Sequence, residues 1–214
     1  MHGFANFFLL TYATLFPIIN PVGNAPLFLS LTRSHTETQR RVLARRVAIN
    51  CFFLLFGSLL IGSYVLEFFG ISLPIVRLGG GLVVAAWGWQ LLNSGVSSDS
   101  KGSSKAVPDD LDAFYPYTMP LTVGPGSMSA AITLGSQRPG TFHLSELFVI
   151  GPAAVVGIMA VAVTIYFCYR FAEGTVARLG PAGTNVVVRM SAFLLFCIGL
   201  QISWAGWSAL QATL

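Results

Sequence analysis

The chain has 214 residues, of which 54% are hydrophobic and only 9% are charged, and its mean hydropathy is +0.72. Soluble domains carry about 25% charged residues, so this composition excludes a soluble globular protein and predicts an integral membrane protein. At about 20 apolar residues per crossing, we expect one transmembrane domain spanning residues 1–214. The net charge of +4 does not indicate nucleic-acid binding, because the cations lie in short loops between apolar segments.

Six apolar segments are separated by short polar stretches, and each is long enough to form a transmembrane helix. They cover residues 4–32, 47–69, 73–93, 114–135, 147–169 and 186–210. Ser34 and Glu37 have the spacing of a capping box, which predicts that the second helix starts there. A hydrophilic loop at residues 94–113 divides the segments into two groups of three, and a turn is predicted at residues 173–184.

The first segment is interrupted in its middle by residues 16–26, which read Phe-Pro-Ile-Ile-Asn-Pro-Val-Gly-Asn-Ala-Pro. An interior proline removes a helical hydrogen bond and clashes with the carbonyl one turn back, so three prolines predict a broken helix. In a bilayer, the backbone groups freed by a break are tolerated only where they face protein or a water-filled cavity. The break therefore predicts a functional site, and a simple proline kink is the alternative.

The fourth segment repeats this feature at residues 115–126, which read Tyr-Pro-Tyr-Thr-Met-Pro-Leu-Thr-Val-Gly-Pro-Gly. Interrupted segments at corresponding positions of two halves point to the substrate site of a transporter. The third and sixth segments also match, since Arg77 and Arg189 each follow a valine near the segment start. We therefore predict an all-α membrane protein with six transmembrane helices, of which helices 1 and 4 are broken. The helices form two three-helix repeats, residues 4–93 and 114–212, and three spans per repeat make the second repeat inverted.

The loop cations predict the orientation of the chain. If the first span starts outside, the inside loops contain nine cations, namely Arg33, Arg40, Arg41, Arg45, Arg46, Lys101, Lys105, Arg170 and Arg178. The outside loops contain only Arg138. By the positive-inside rule, both ends of the chain are predicted to face outward.

The two breaks predict where a substrate binds. The half-helices that begin near Asn24 and Gly126 present free N–H groups and the positive end of a helix dipole, which attract a carboxylate. Hydroxyl and amide groups beside the breaks are candidates for an ammonium group or Na⁺, and glycines there allow close approach of a ligand. The candidate substrate-binding residues are Asn20, Pro21, Gly23, Asn24, Thr118, Thr122, Gly124, Gly126 and Ser127.

Other polar and aromatic residues have simpler interpretations. Arg77 and Arg189 either extend to the lipid headgroups, or cap carbonyls freed by a break, or gate one mouth of the path. The four tryptophans are interpreted as interface anchors. No cluster of His, Cys, Asp and Glu predicts a metal site and no cofactor is expected, while coupling to Na⁺ or H⁺ and a homo-oligomeric state are left open. The alternatives to a carrier are a channel or exporter for another solute, or an intramembrane enzyme with Ser127 or Ser129 as nucleophile. The enzyme alternative needs a base within hydrogen-bond reach of the serine, and no predicted span supplies one.

These motifs resemble the MarC family of bacterial and archaeal inner-membrane proteins. The resemblance rests on Asn20-Pro21-Val22-Gly23, Met119-Pro120, Gly124-Pro125-Gly126-Ser127, the Phe-Gly-Ile-Ser-Leu-Pro of residues 69–74 and the Arg-Leu-Gly-Gly-Gly of residues 77–81. It implies six transmembrane helices in the inner membrane, with both termini in the periplasm on the orientation above. For the function, it implies transport of small neutral amino acids such as glycine and alanine.

Overall fold

The computed structural model describes residues 2–94, 112–136 and 144–212, and within these ranges the chain is helical and contains no strand. The helices are α1 His2–Ile19, α2 Pro21–Leu31, α3 Glu37–Phe68, α4 Leu73–Ser94, α5 Pro125–Ser136, α6 Leu144–Arg170 and α7 Ala172–Gln211. A wide-turned segment, Phe114–Thr122, precedes α5. Most of the predicted 94–113 loop, and Arg138, lie outside the described residues. The all-α prediction is thus confirmed for the described chain.

Four helices in the described part of the chain are long and apolar enough to cross a membrane: α3, α4, α6 and α7. The bent pair α1 and α2 makes a fifth span if it is counted as one. The predicted fourth span does not meet this criterion, because its regular part, α5, has only 12 residues. At 1.5 Å per residue, α5 is far too short to cross the hydrocarbon layer alone. The six-helix inverted repeat stays a prediction.

The predicted break in the first segment lies at Asn20, where α1 and α2 meet at an angle of 41°. Asn20 has left-handed backbone angles (φ 50°, ψ 54°) and its side-chain oxygen accepts a hydrogen bond from the Gly23 N–H at 3.2 Å. Asparagine tolerates this conformation better than most residues because its side chain bonds locally. Pro21 occupies the first position of α2, where its missing N–H costs nothing. A single residue, Asn20, therefore separates the end of α1 from the start of α2.

Helix α3 starts ten residues before the second apolar segment and includes most of the arginine-rich stretch. Its capping box is formed by Thr36 and Gln39, so the prediction that Ser34 and Glu37 form it is wrong. The reason is the turn that ends α2, in which the His35 N–H bonds the Thr32 carbonyl oxygen at 3.0 Å. Because this turn extends through Ser34, the helix can start only after it.

The turn predicted at residues 173–184 is shorter than expected: it is confined to a kink at Gly180, and the residues around it are helical. Gly180 has φ 67° and ψ 178°, which is a conformation that essentially only glycine adopts. Pro181 follows it and begins the long apolar part of α7. Gly70, just before α4, also has a positive φ of 66°. Arg77 lies in α4, after Gly70, and Arg189 lies in the part of α7 that follows Gly180.

Helices α4 and α7 pack backbone to backbone through glycines. A Cβ on Gly81 would lie 2.5 Å from the Ser203 nitrogen, and one on Gly88 would lie 2.5 Å from the Phe196 nitrogen. A Cβ on Gly199 would collide with Ala85 of α4. Small residues permit this approach, which is a main source of helix association in lipid. The larger core lies on the other side, among α1, α2, α3, α5, α6 and the Phe114–Thr122 segment.

Candidate substrate site

The second break is a pair of tandem four-residue turns, Tyr-Pro-Tyr-Thr and Met-Pro-Leu-Thr. The residue before each proline is extended, Tyr115 at φ −118°, ψ 130° and Met119 at φ −119°, ψ 127°, as expected from the clash between a proline ring and its predecessor. Each turn is closed by a threonine that bonds a carbonyl five residues back: Thr118 Oγ1 donates to Ala113 at 2.7 Å and Thr122 Oγ1 to Tyr117 at 2.7 Å. These bonds pair the carbonyls of Ala113 and Tyr117 within the segment, which is wider than an α-helix.

Asn24 joins the two breaks. Its side-chain Nδ2 donates to the Ile19 carbonyl at 2.9 Å and to the Leu121 carbonyl at 3.0 Å. Because both of these partners are acceptors, the nitrogen must face them and the amide oxygen must face away. Asn24 is 2% exposed, and its Oδ1 is buried without a hydrogen-bond partner in the described structure. The site therefore contains a fixed amide with a free acceptor between the two interrupted segments.

A cavity of about 260 Å³ lies where the breaks meet. It is lined by Ile18, Ile19 and Asn24 from the first break, by residues 120–122 and 124–127 from the second, by Val83, Val84, Ala86, Trp87 and Gln90 of α4, and by Leu195 of α7. None of these residues is charged. Any charge on a ligand would therefore be balanced by backbone and amide dipoles.

The N-terminus of α5 forms one wall of this cavity. Gly124 precedes the helix, Pro125 has no N–H, and the first intrahelical bond is from the Met128 N–H to the Gly124 carbonyl at 3.1 Å. By helix geometry, the N–H groups of Gly126 and Ser127 have no acceptor within the helix. Ser127 Oγ donates to the Gly124 carbonyl at 3.0 Å. The wall thus offers two backbone donors and the positive end of the helix dipole.

Five of the nine predicted residues line the cavity: Asn24, Thr122, Gly124, Gly126 and Ser127. Their role in binding a substrate stays a prediction. The other four do not line it: Asn20, Pro21, Gly23 and Thr118. Asn20 is a helix cap, and its Nδ2 is buried without a partner in the described structure. Thr118 faces α3, where Asn50 Nδ2 donates to its hydroxyl at 3.4 Å.

The glycines at the breaks serve different purposes. A Cβ on Gly23 would lie 2.6 Å from the Cβ of Ser191, and one on Gly126 would collide with Val84. Gly23 therefore allows α2 to pack against α7, and Gly126 allows α5 to pack against α4. The role predicted for these glycines was to let a ligand approach the backbone. A Cβ on Gly124 would meet only the Pro120 oxygen, at 3.6 Å. Gly124 is the glycine of the three with open space beside it.

The two predicted arginines have different environments. Arg77, half-buried, donates from Nε to the Thr133 hydroxyl of α5 at 3.2 Å. Arg189 is exposed on α7. The Arg77 contact is to a side-chain hydroxyl and not to a carbonyl freed by a break. The capping, gating and headgroup roles of the two arginines stay predictions.

The part of the candidate site contributed by α4 was not predicted from the sequence. Trp87, interpreted as an interface anchor, lines the cavity and packs against the small core between α4 and α7, whereas Trp89 is 56% exposed. Val83, Val84, Trp87 and Gln90 share one face of α4, at the spacing i, i+1, i+4, i+7. A glutamine on the same face as apolar residues, inside a membrane span, was the signal that could have identified this face.

A second feature that was not predicted is a group of buried side chains that includes Thr122. The Tyr169 hydroxyl of α6 bonds the Thr122 hydroxyl at 2.8 Å, and the Tyr169 ring stacks on Phe28 of α2 at 4.4 Å between centroids. Tyr117 meets the same Phe28 ring edge to face at 5.8 Å. All four side chains are buried. They connect the second break to α2 and α6.

This architecture defines a multi-pass α-helical membrane protein with two interrupted segments that meet at a small uncharged cavity. The model of the MarC family of integral membrane proteins matches residues 5–210, and the chain belongs to this family.

Curated relatives cover nearly the same length. A membrane protein of Bacillus subtilis named YvbG is 28% identical over 205 residues, 94% of each chain. A membrane protein of Archaeoglobus fulgidus is 28% identical over 206 residues, 95% of this chain and 93% of its own. The inner membrane protein MarC of Salmonella arizonae is 30% identical over 200 residues, 90% of each chain. No solved structure matches the chain.

Proposed function

We propose that this protein is a secondary transporter that carries small neutral amino acids, or solutes of similar size, through the cavity between its two breaks. The observation that carries the proposal is Asn24, a buried amide that lines the cavity, ties the two breaks together and has an Oδ1 without a hydrogen-bond partner in the described structure. Interrupted segments that meet at the substrate site are the arrangement used by many secondary transporters.

The chemistry of the walls supports an amino acid as the substrate. The N–H groups of Gly126 and Ser127 and the α5 dipole are suited to a carboxylate. Asn24 Oδ1 is an acceptor, and an ammonium group is a donor. A zwitterion adds no net charge to a cavity lined by uncharged residues, which limits the cost of burying it.

The dimensions support a small substrate. Pockets for drug-sized ligands measure about 300–1,000 Å³, whereas this cavity measures about 260 Å³. The apolar wall formed by Val83, Val84 and Leu195 suits a hydrogen atom or a methyl group as side chain. Glycine and alanine fit these conditions.

We also propose the inverted repeat and its orientation. A two-fold axis that exchanges the repeats would place α3 against α6 and α4 against α7, and both pairs are in contact. It would exchange the contact of α2 with α7 for that of α5 with α4, and both of these occur too. The ion pairs of Glu37 and Arg40 with Arg170 and Glu173 put the arginine-rich ends of α3, α6 and α7 on one side, which by charge is the cytoplasmic side of the inner membrane. Both termini are then periplasmic, and a C-terminal reporter active only in the cytoplasm would contradict this.

Counterflow in proteoliposomes tests the transport proposal. Vesicles loaded with unlabelled glycine or alanine should transiently accumulate the labelled amino acid above its equilibrium level, and protein-free vesicles should not. Imposed Na⁺ and pH gradients then identify the coupling ion. Flux that neither saturates nor shows counterflow would favour a channel.

The serines that could have served as nucleophiles support a carrier without a chemical step. Ser129 Oγ donates to the Val76 carbonyl of α4 at 3.1 Å, and Ser127 Oγ is bonded to the Gly124 carbonyl. Both hydroxyls therefore stabilise the packing or the start of α5.

A further inference from the structure

A second concave surface lies on the outside of the bundle, in the groove between α3 and α6. Its volume is about 680 Å³. One wall is formed by Arg45, Ile49 and Phe53 of α3, and the other by Met159, Val163 and Tyr166 of α6. Each set follows helical spacing along one face. The groove is separate from the cavity at the breaks, because the two share no lining residue.

The polar groups of the groove lie at one end. The ion pair of Arg170 with Glu37 fixes the C-terminus of α6 beside the N-terminus of α3, so Tyr166 and Arg45 are at the same end. Phe53 is eight residues further along α3, about 12 Å at 1.5 Å per residue. The groove therefore has a cationic end near the membrane surface and an apolar floor that runs toward the bilayer centre.

Within residues 33–46 and 170–178, the arginines outnumber the acidic side chains. Residues 33–46 and 170–178 carry seven arginines and two glutamates. Glu37 pairs with Arg41 and Arg170, and Glu173 pairs with Arg40. Arg45 is exposed and has no ion pair with any acidic residue that the structure describes. An anion is the missing partner of this guanidinium.

We infer that the groove between α3 and α6 binds one anionic phospholipid, with its phosphate at Arg45 and one acyl chain along Ile49, Phe53, Met159 and Val163. Arginine pairs with phosphate through two parallel hydrogen bonds, and Tyr166 belongs to a residue type that sits at the headgroup level. An apolar floor without the arginine would accept any lipid, so the cationic end is what selects the headgroup charge.

Thermal unfolding in detergent tests this inference. Phosphatidylglycerol or phosphatidylcholine with the same acyl chains is added at equal mole fraction to wild type, Arg45→Gln and Arg178→Gln. Arg178 is an exposed arginine at the same end but outside the groove, so its variant controls for charge. We expect phosphatidylglycerol to raise the Tm more than phosphatidylcholine in wild type and in Arg178→Gln. In Arg45→Gln, the affinity for phosphatidylglycerol should fall about fivefold, the usual effect of one arginine near an anionic surface.

A second variant tests the apolar floor. Met159→Trp puts a larger side chain at a half-exposed position of the groove, so it should also reduce the difference in Tm between the two lipids. In a separate measurement, native mass spectrometry should find one retained anionic lipid per wild-type chain. Equal stabilisation of wild type by both lipids, or an undiminished preference for phosphatidylglycerol in Arg45→Gln, would overturn the inference.

Discussion

Replacing Asn24 with leucine tests whether the two breaks are held together by one side chain. Leucine has a similar size but cannot donate a hydrogen bond, so the carbonyls of Ile19 and Leu121 lose their partner at 2.9 and 3.0 Å. Leaving a buried acceptor unpaired costs about 1–3 kcal/mol, so the two carbonyls together lose about 2–6 kcal/mol.

One contribution has the opposite sign. The Asn24 Oδ1 atom is buried without a partner, and leucine removes that desolvated acceptor, a gain of about 1–3 kcal/mol on mutational scales. The midpoints of these ranges give a net destabilisation of about 2 kcal/mol. For a chain of this length, 1 kcal/mol lowers Tm by about 2–4 °C, so the expected decrease is about 4–8 °C.

The matched control is Asn93→Leu. Asn93 also donates through Nδ2 to a backbone carbonyl, that of Trp89 at 2.9 Å, but it is exposed at the end of α4. Its replacement should change stability by less than about 0.5 kcal/mol. Tm is measured by intrinsic tryptophan fluorescence in detergent, and counterflow is measured in vesicles with equal amounts of inserted protein. If Asn24→Leu and Asn93→Leu have the same Tm and the same transport, Asn24 does not organise the site.

Three further pairs of variants separate structural from functional roles. Asn20→Ala should lower stability by about 2 kcal/mol, since it removes the cap and puts alanine in a left-handed conformation; Asn20→Gly keeps the backbone freedom and should cost less, and equal losses would contradict the backbone argument. Gly126→Val should destabilise the fold because its Cβ collides with α4, whereas Gly124→Val has open space beside it and should leave Tm within about 1 °C of wild type. Gly81→Ala should destabilise the contact of α4 with α7, whereas Gly79→Ala, whose Cβ meets nothing within 4 Å, should be neutral or slightly stabilising because alanine favours helix. Thermal unfolding checks all three pairs, and a reversed order in either glycine pair would contradict the packing described above.

The positions of the breaks were predictable because proline disfavours the helix that precedes it. Pro21 and Pro120 mark the two breaks, whereas Pro17 and Pro26 lie inside α1 and α2, so the cluster of prolines located the first break only approximately. The pairing of the two segments predicted that the breaks meet. The shape of the second break was less predictable. Tyr115 and Met119 are extended because each precedes a proline. The bonds from Thr118 and Thr122 to carbonyls five residues back, which make two tandem turns, are local too, but a threonine has several carbonyls within reach and the sequence does not show which one it bonds.

Features that depend on the packing partner could not be predicted. Gly23, Gly124 and Gly126 are alike in sequence, but two of them face a neighbouring helix and one faces open space. In the same way, Trp87 and Trp89 are two residues apart, and only the identity of the helix beside α4 decides which of them lines the cavity. Local patterns locate the breaks, and long-range packing decides which residues around them are accessible to a ligand.

Counterflow by the Gly124→Val variant tests the central claim most directly, because valine adds volume to the cavity without disturbing its walls. Wild type and variant are reconstituted at equal density, after their Tm values are shown to agree. We predict that wild type exchanges labelled glycine or alanine and that Gly124→Val does not. Exchange by the variant at the wild-type rate would contradict the claim that the cavity between the two breaks is the substrate site.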